Sequence, residues 1–259
     1  MNLVTIAGFD PSGGAGALLD TAVFRALGFE GLAVLTAVTV QNTAAVFQVK
    51  PLPAHLVRDQ LRALWRDLAI AGLKVGMSGS AANLTEIGRL LAGFPGVPRV
   101  VDPVFHSTSG CSLAGSASAA AFLRALSGRA DVLTPNLEEA SRLSGRPVRT
   151  IAEMRDAARS IYDRTGVPCL VKGGHLTGDP VNLLYDGSRT VLFGNKRLRR
   201  DVHGTGCFFS AALLGFLVKT GDLIAASEAA TEWTHRAIRT AVRIGRGRAV
   251  FSPLSIPQP

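Results

Sequence analysis

The sequence is poor in the residues that mark several protein classes. Its three cysteines, Cys111, Cys169 and Cys207, are far apart and odd in number. No CxxC pair occurs, which argues against a disulfide framework and a zinc knuckle. Phe, Trp and Tyr make up only 6% of the chain, so base stacking on exposed aromatics has little material to work with. No apolar run reaches the roughly 18 residues of a membrane-spanning helix. Residues 1–7 are too short and uncharged for a secretory signal, so a cytoplasmic location is expected. Neither GxxxxGK[ST] nor GxGxxG is present, so two familiar phosphate-binding turns are missing. There is no linker, repeat or low-complexity stretch, and one domain spanning 1–259 is expected.

What is present is a large apolar fraction, 47% of 259 residues, with 28 glycines and a net charge of +9. That suffices for a sizeable core, and the glycines suit turns and close backbone approach to a ligand. The positive charge leans toward the C-terminal third: Lys196, Arg197, Arg199, Arg200, Arg236, Arg239, Arg243, Arg246 and Arg248. Arg236, Arg239 and Arg243 are spaced to share one helical face. Such stripes are usually solvated surface, and neither a nucleic-acid partner nor a membrane is expected.

Strand and helix patterns alternate along the chain. Strands are expected at 2–7, 31–40, 70–75, 98–102, 130–134 and 167–172. Helices are expected at 15–27, 53–68, 80–93, 116–126, 136–144, 151–164, 204–219 and 222–245. Asp186-Gly187 marks a hairpin between strands 181–185 and 190–193. Continuous apolar strands alternating with helices imply an α/β fold: a mostly parallel central sheet with helices on both faces. Ligands in such sheets sit beyond the C-terminal strand ends.

Five strand ends carry unusual residues. Ala7 to Gly16 (AGFDPSGGAG) is either a ligand-approaching glycine loop or a plain turn. Gln41-Asn42-Thr43 offers a planar donor–acceptor pair that suits the edge of a heteroaromatic ring, or a polar turn. Met77 is placed to pack on such a ring or in the core. Asp102 ends a buried strand, where a carboxylate needs a partner or a cation. Asn136 and Glu139 share one side of a helix start. They can hold a hydrated Mg²⁺ or form a capping box. His203-Gly204-Thr205-Gly206-Cys207 opens an almost wholly apolar helix. Its small residues leave the first N–H groups open, and the helix dipole favours an anion there. A thiol in that first turn is expected to have a lowered pKa.

These segments, in this order, resemble the ribokinase superfamily, and within it the hydroxymethylpyrimidine/phosphomethylpyrimidine kinases. The matching stretches are AGFDPSGGAG (7–16), Asp20, QNT (41–43), KVGM (74–77), DPV (102–104), TPNLEEA (134–140), KGGH (172–175) and HGTGC (203–207). The resemblance implies a ribokinase-like three-layer sandwich, usually dimeric, and so a homodimer here. It implies ATP and Mg²⁺ as cofactors and a small-molecule pyrimidine as partner: 4-amino-5-hydroxymethyl-2-methylpyrimidine and then its monophosphate. It assigns Gly204, Thr205 and Gly206 to the anion hole and Cys207 to the base position. Gly8, Asp10, Ala15, Asp20, Gln41 and Met77 would line the pyrimidine pocket. Asn136, Glu139, Lys172 and Thr205 would surround the ATP phosphates, with Glu139 and Asp102 at the metal. Two residues depart from the family pattern: Thr108 stands where a lysine is usual, and Phe9 where Ser or Thr is common. Two other readings are open. One is a pyridoxal or pyridoxine kinase; the other is a non-catalytic pyrimidine- or nucleotide-binding protein of the same fold. His203 borders the anion loop, and His55, His106, His175 and His235 carry no expected role.

Overall fold

The computed structural model describes residues 1–105 and 118–259; His106, Thr108 and Cys111 lie outside the described residues. The strands are β1 (Asn2–Phe9), β2 (Glu30–Gln41), β3 (Val46–Pro51), β4 (Ile70–Val75), β5 (Arg99–Val101), β6 (Val132–Leu133), β7 (Cys169–Val171), β8 (Val181–Tyr185) and β9 (Thr190–Gly194). They form one sheet in the order β3-β2-β1-β4-β5-β6-β7-β8-β9. In that order the six strands from β2 to β7 are parallel to one another, while the edge pairings β2–β3, β7–β8 and β8–β9 are antiparallel.

The helices are α1 (Gly16–Ala26), α2 (Ala54–Asp67), α3 (Ala81–Ala92), α4 (Ala119–Leu126), α5 (Leu137–Ser144), α6 (Ile151–Thr165), α7 (Thr205–Thr220) and α8 (Leu223–Thr240). Alternate residues of each strand enter two separate cores. Val4, Ile6, Leu73, Val75, Val101 and Leu133 pack beneath α2 to α6. Leu3, Val100, Val132 and Leu170 face α1, α7 and α8. Period-two alternation between two buried faces is why the strands read as unbroken apolar runs. The result is the expected three-layer arrangement of helices, sheet and helices.

Three expectations need correction. β3 escaped the sequence pattern because VFQVKP is mostly exposed; it is defined by pairing with β2, not by a buried face. The last helix ends at Thr240 rather than 245. Residues 242–250 instead form a bent loop closed on itself, with Val242 bridged to Val250 and Ala249 bridged to Val202. Arg243 therefore lies off the helix that carries Arg236 and Arg239, and the three do not share one helical face.

Candidate active site

The C-terminal ends of β1, β4, β5, β6 and β7 open into a cleft of about 1110 Å³. Every candidate segment except Asp20 contributes to its wall. Gly8, Asp10, Ala15, Gln41 and Met77 line one part; Asp102, Asn136, Glu139 and Lys172 line another; Gly204 to Cys207 lie between.

At one end, Asp10 accepts hydrogen bonds from the Ser12 amide (2.8 Å) and hydroxyl (2.7 Å), and its other oxygen lies 3.3 Å from His203 Nε2. Burial pushes its carboxyl up, but hydrogen bonds from His203, Ser12 and Gln41 outweigh that and hold it below the ordinary carboxylate range. Met77 is almost fully buried. Its Sδ would lie 2.9 Å from a Cβ on Gly8, so glycine at position 8 makes room for the thioether.

Asp20 does not stand in the cleft wall. The parallel register pairs Thr5 with Lys74, both facing α1, and α1 lowers Asp20 onto them. Asp20 Oδ2 accepts from Thr5 Oγ1 (2.6 Å) and Lys74 Nζ (2.7 Å), with Asp20 and Lys74 fully buried. Burial raises the Asp20 carboxyl despite these partners. Burial alone would lower Lys74, but Asp20, Cys207 and Asp102 together hold it above the usual lysine range. Lys74, not Asp20, reaches the cleft. It was passed over in the sequence because it sits in an apolar strand; a lysine inside a buried run was the available signal.

At the other end, β5, β6 and β7 bring together the groups expected near phosphate. Lys172 Nζ donates to Asp102 Oδ1 (2.5 Å), and Thr134 Oγ1 donates to the same oxygen (3.2 Å). Asn136 is bridged to Lys172 across neighbouring strand ends. Asn136 and Glu139 form a complete capping box: Asn136 Oδ1 accepts from the Glu139 amide (2.9 Å) and Glu139 Oε2 accepts from the Asn136 amide (2.7 Å). Burial pushes the Glu139 carboxyl upward against the pull of Lys172. Burial would lower Lys172, but Asp102 and Glu139 hold it raised.

The start of α7 joins the two ends. Gly204 is its N-cap at φ +81°, with no capping side chain. The amides of Thr205, Gly206 and Cys207 find no hydrogen-bond acceptor among the described residues, whereas at the start of α8 the Asp222 carboxylate accepts the Ile224 and Ala225 amides. A Cβ on Gly206 would sit 3.1 Å from Lys172 Nζ and 3.7 Å from Asp102 Oδ2. Open amides and a fixed ammonium thus face one point, the arrangement an anion needs. The Cys207 thiol contradicts expectation. Burial pushes it up to about 11, with Asp20 and Asp102 adding to the rise and Lys74 and the Gly16 amide opposing it. Desolvation and nearby carboxylates outweigh the helix start.

His175, His203 and His235 also line the cleft. His235 Nε2 is 2.9 Å from the Lys196 carbonyl, while His203 touches Asp10. No cluster of three or more His, Cys, Asp or Glu is placed to coordinate a metal by itself among the described residues.

The phosphomethylpyrimidine kinase family model matches residues 10–252. The chain is 34% identical to the hydroxymethylpyrimidine/phosphomethylpyrimidine kinase of Aquifex aeolicus, over 97% of this chain and 99% of that protein. It is 41% identical to the Rhizobium meliloti protein of the same description, covering 95% and 94%. Among solved structures, pyridoxal kinase from Staphylococcus aureus in complex with pyridoxal superposes with a TM-score of 0.88 at 28% identity, covering 98% and 93%. Phosphomethylpyrimidine kinase from Clostridium difficile gives 0.77 at 30% identity, covering 92% and 99%. With a family model spanning nearly the whole chain and relatives of matching length, this protein belongs to the hydroxymethylpyrimidine/phosphomethylpyrimidine kinase family.

Proposed function

We propose that the chain transfers the γ-phosphate of ATP to the hydroxymethyl group of 4-amino-5-hydroxymethyl-2-methylpyrimidine, and then to the resulting monophosphate. The observation that carries this reading is the uncapped start of α7 facing Lys172, with Gln41, Asp10 and Met77 farther along the same cleft.

In this reading Gln41 and Asp10 hold the polar edge of the ring and Met77 its face. The transferring phosphoryl group lies at residues 204–207. Charge building on its oxygens is met by the amides of Thr205, Gly206 and Cys207 and by the Lys172 ammonium. Phosphoryl transfer is mostly positioning and electrostatics, which suits a site made of fixed donors. Cys207, kept protonated near neutrality, orients the acceptor hydroxyl, whose proton passes late to an oxygen of the transferred phosphoryl group. Magnesium held at Glu139 and Asp102 through water would neutralise phosphate charge.

A cytoplasmic location and a homodimer complete the reading. No described helix is long and apolar enough to cross a membrane. Val38, Val40 and Phe47 stand exposed on the β2–β3 ribbon, a surface that a second copy would cover. Pyridoxal remains the competing acceptor because pyridoxal kinase superposes so well. The test is mass spectrometry of products after incubation with MgATP and equal amounts of the pyrimidine alcohol and pyridoxal. Phosphorylated and diphosphorylated pyrimidine are expected. Pyridoxal phosphate alone would transfer the assignment to the other vitamin, and no phosphorylated product would leave a binding protein.

A further inference from the structure

We propose that the loop 242–250, closed by the Val242–Val250 bridge, is a strap that sets the Gln41 loop against the anion loop, with Thr43 as the positioning residue. The strap begins where α8 stops and touches three separate parts of the cleft wall. Thr43 Oγ1 accepts the Gly247 amide (3.1 Å), and the Thr43 carbonyl accepts the Arg248 amide (3.0 Å). Two residues on, the Ala249 carbonyl accepts the His203 amide (2.8 Å), so the strap bonds the residue that leads into Gly204. Val250 packs toward the glycine loop: a Cβ on Gly14 would lie 2.9 Å from Val250 Cγ1 and closer still to the His203 ring. The Val242–Val250 pair (3.0 and 2.8 Å) closes the strap on itself.

The glycines of this segment fit the role. A Cβ on Gly247 would fall on the Thr43 carbonyl group, and one on Gly245 would lie 2.7 Å from Thr43 Oγ1. Only bare backbone lets strap and loop come this close. Arg248 adds a side-chain anchor, its Nε 3.0 Å from Asp201 Oδ2 just before the anion loop. The Gln41 loop is otherwise held by Asn42 Oδ1 accepting the Ala44 and Ala45 amides and by the hydrogen bond of Gln41 to Asp10, which itself touches His203. The strap adds a backbone link between the Thr43 loop and residue 203 to those side-chain contacts. This rests on Gln41 contacting the acceptor alcohol; a misplacement of the loop then acts on the alcohol and not on ATP.

The test compares wild type with Thr43→Val, Thr43→Ser and Gly247→Ala by two readouts. The first needs no substrate: amide hydrogen exchange. In Thr43→Val, protection is expected to fall at Gly247 and Arg248 and also at His203, on the far side of the strap, with Thr43→Ser restoring it. The second uses whichever alcohol the wild type phosphorylates. KM for that alcohol is expected to rise about 10-fold or more in Thr43→Val and Gly247→Ala, with KM for ATP within about twofold and recovery in Thr43→Ser. Unchanged exchange at His203, or equal rises in both KM values in a folded variant, would overturn the strap. A wild type that phosphorylates neither alcohol sinks the substrate reading alone, because the exchange measurement still decides the strap.

Discussion

Cys207 carries a proton that the chemistry has to account for. With its thiol pushed up to about 11, it is protonated at pH 7, and its thiolate fraction grows about tenfold per pH unit on the way up. Alkylation of Cys207, followed peptide by peptide in the folded protein, is therefore expected to be slow at neutral pH and to rise with a midpoint near 11. A midpoint below that of an ordinary free thiol would restore the helix-start effect that the sequence suggested. Lys74 and Asp20 make a second residue-level case. Both are fully buried, so Lys74→Met leaves a carboxylate with only Thr5 to hold it. The expected loss is about 3–5 kcal/mol in urea unfolding. Adding Asp20→Asn should recover part of it, since the uncompensated charge goes with it. A single variant as stable as wild type would mean that Asp20 is already neutral.

Among the described helices, α1, α2 and α7 start without a capping side chain, and the first turn of α7 lies beside Lys172. α3, α4, α5, α6 and α8 each have a side chain capping the first turn; α7 begins on bare Gly204. Proline is tolerated in a first helical turn because its missing N–H has no intrahelical partner. Gly206→Pro should thus fold yet lose one donor, with kcat falling about 10²–10³-fold. Cys207→Asp should keep measurable turnover, because positioning outweighs proton removal in a loose transition state. Steady-state kinetics on the two folded variants check the ranking, and an active Gly206→Pro beside an inactive Cys207→Asp reverses it. The open start was legible in HGTGC because its glycines carry no side chain to cap with. The Asn136–Glu139 pair was legible only as two alternatives, and the capping box is what the structure contains. Asp20 was misplaced because one residue in a helix pattern does not say which layer of a sandwich it enters. Only the Thr5–Lys74 register fixes that. β3 and the strap left no pattern because their contacts are backbone pairings of exposed residues, which hydrophobic periodicity does not report.

For the whole molecule, the alternation of apolar strands and helices was enough to establish the three layers and the edge of the sheet where ligands belong. It could not set distances between segments far apart in sequence, such as His203 and Asp10 or Thr43 and Gly247. Those long-range contacts turn five ordinary strand ends into one cleft, with Lys172 and the α7 amides at one end and Gln41, Asp10 and Met77 at the other. The central claim is that the phosphate in transfer lies on the amides of residues 204–207 beside Lys172. A crystal structure with a non-hydrolysable ATP analogue, Mg²⁺ and the acceptor alcohol tests it most directly. The account predicts terminal phosphate oxygens at about 2.7–3.2 Å from those amide nitrogens, with the acceptor hydroxyl in line and next to Cys207. A terminal phosphate bound elsewhere, with the start of α7 closed off by protein atoms, would contradict it.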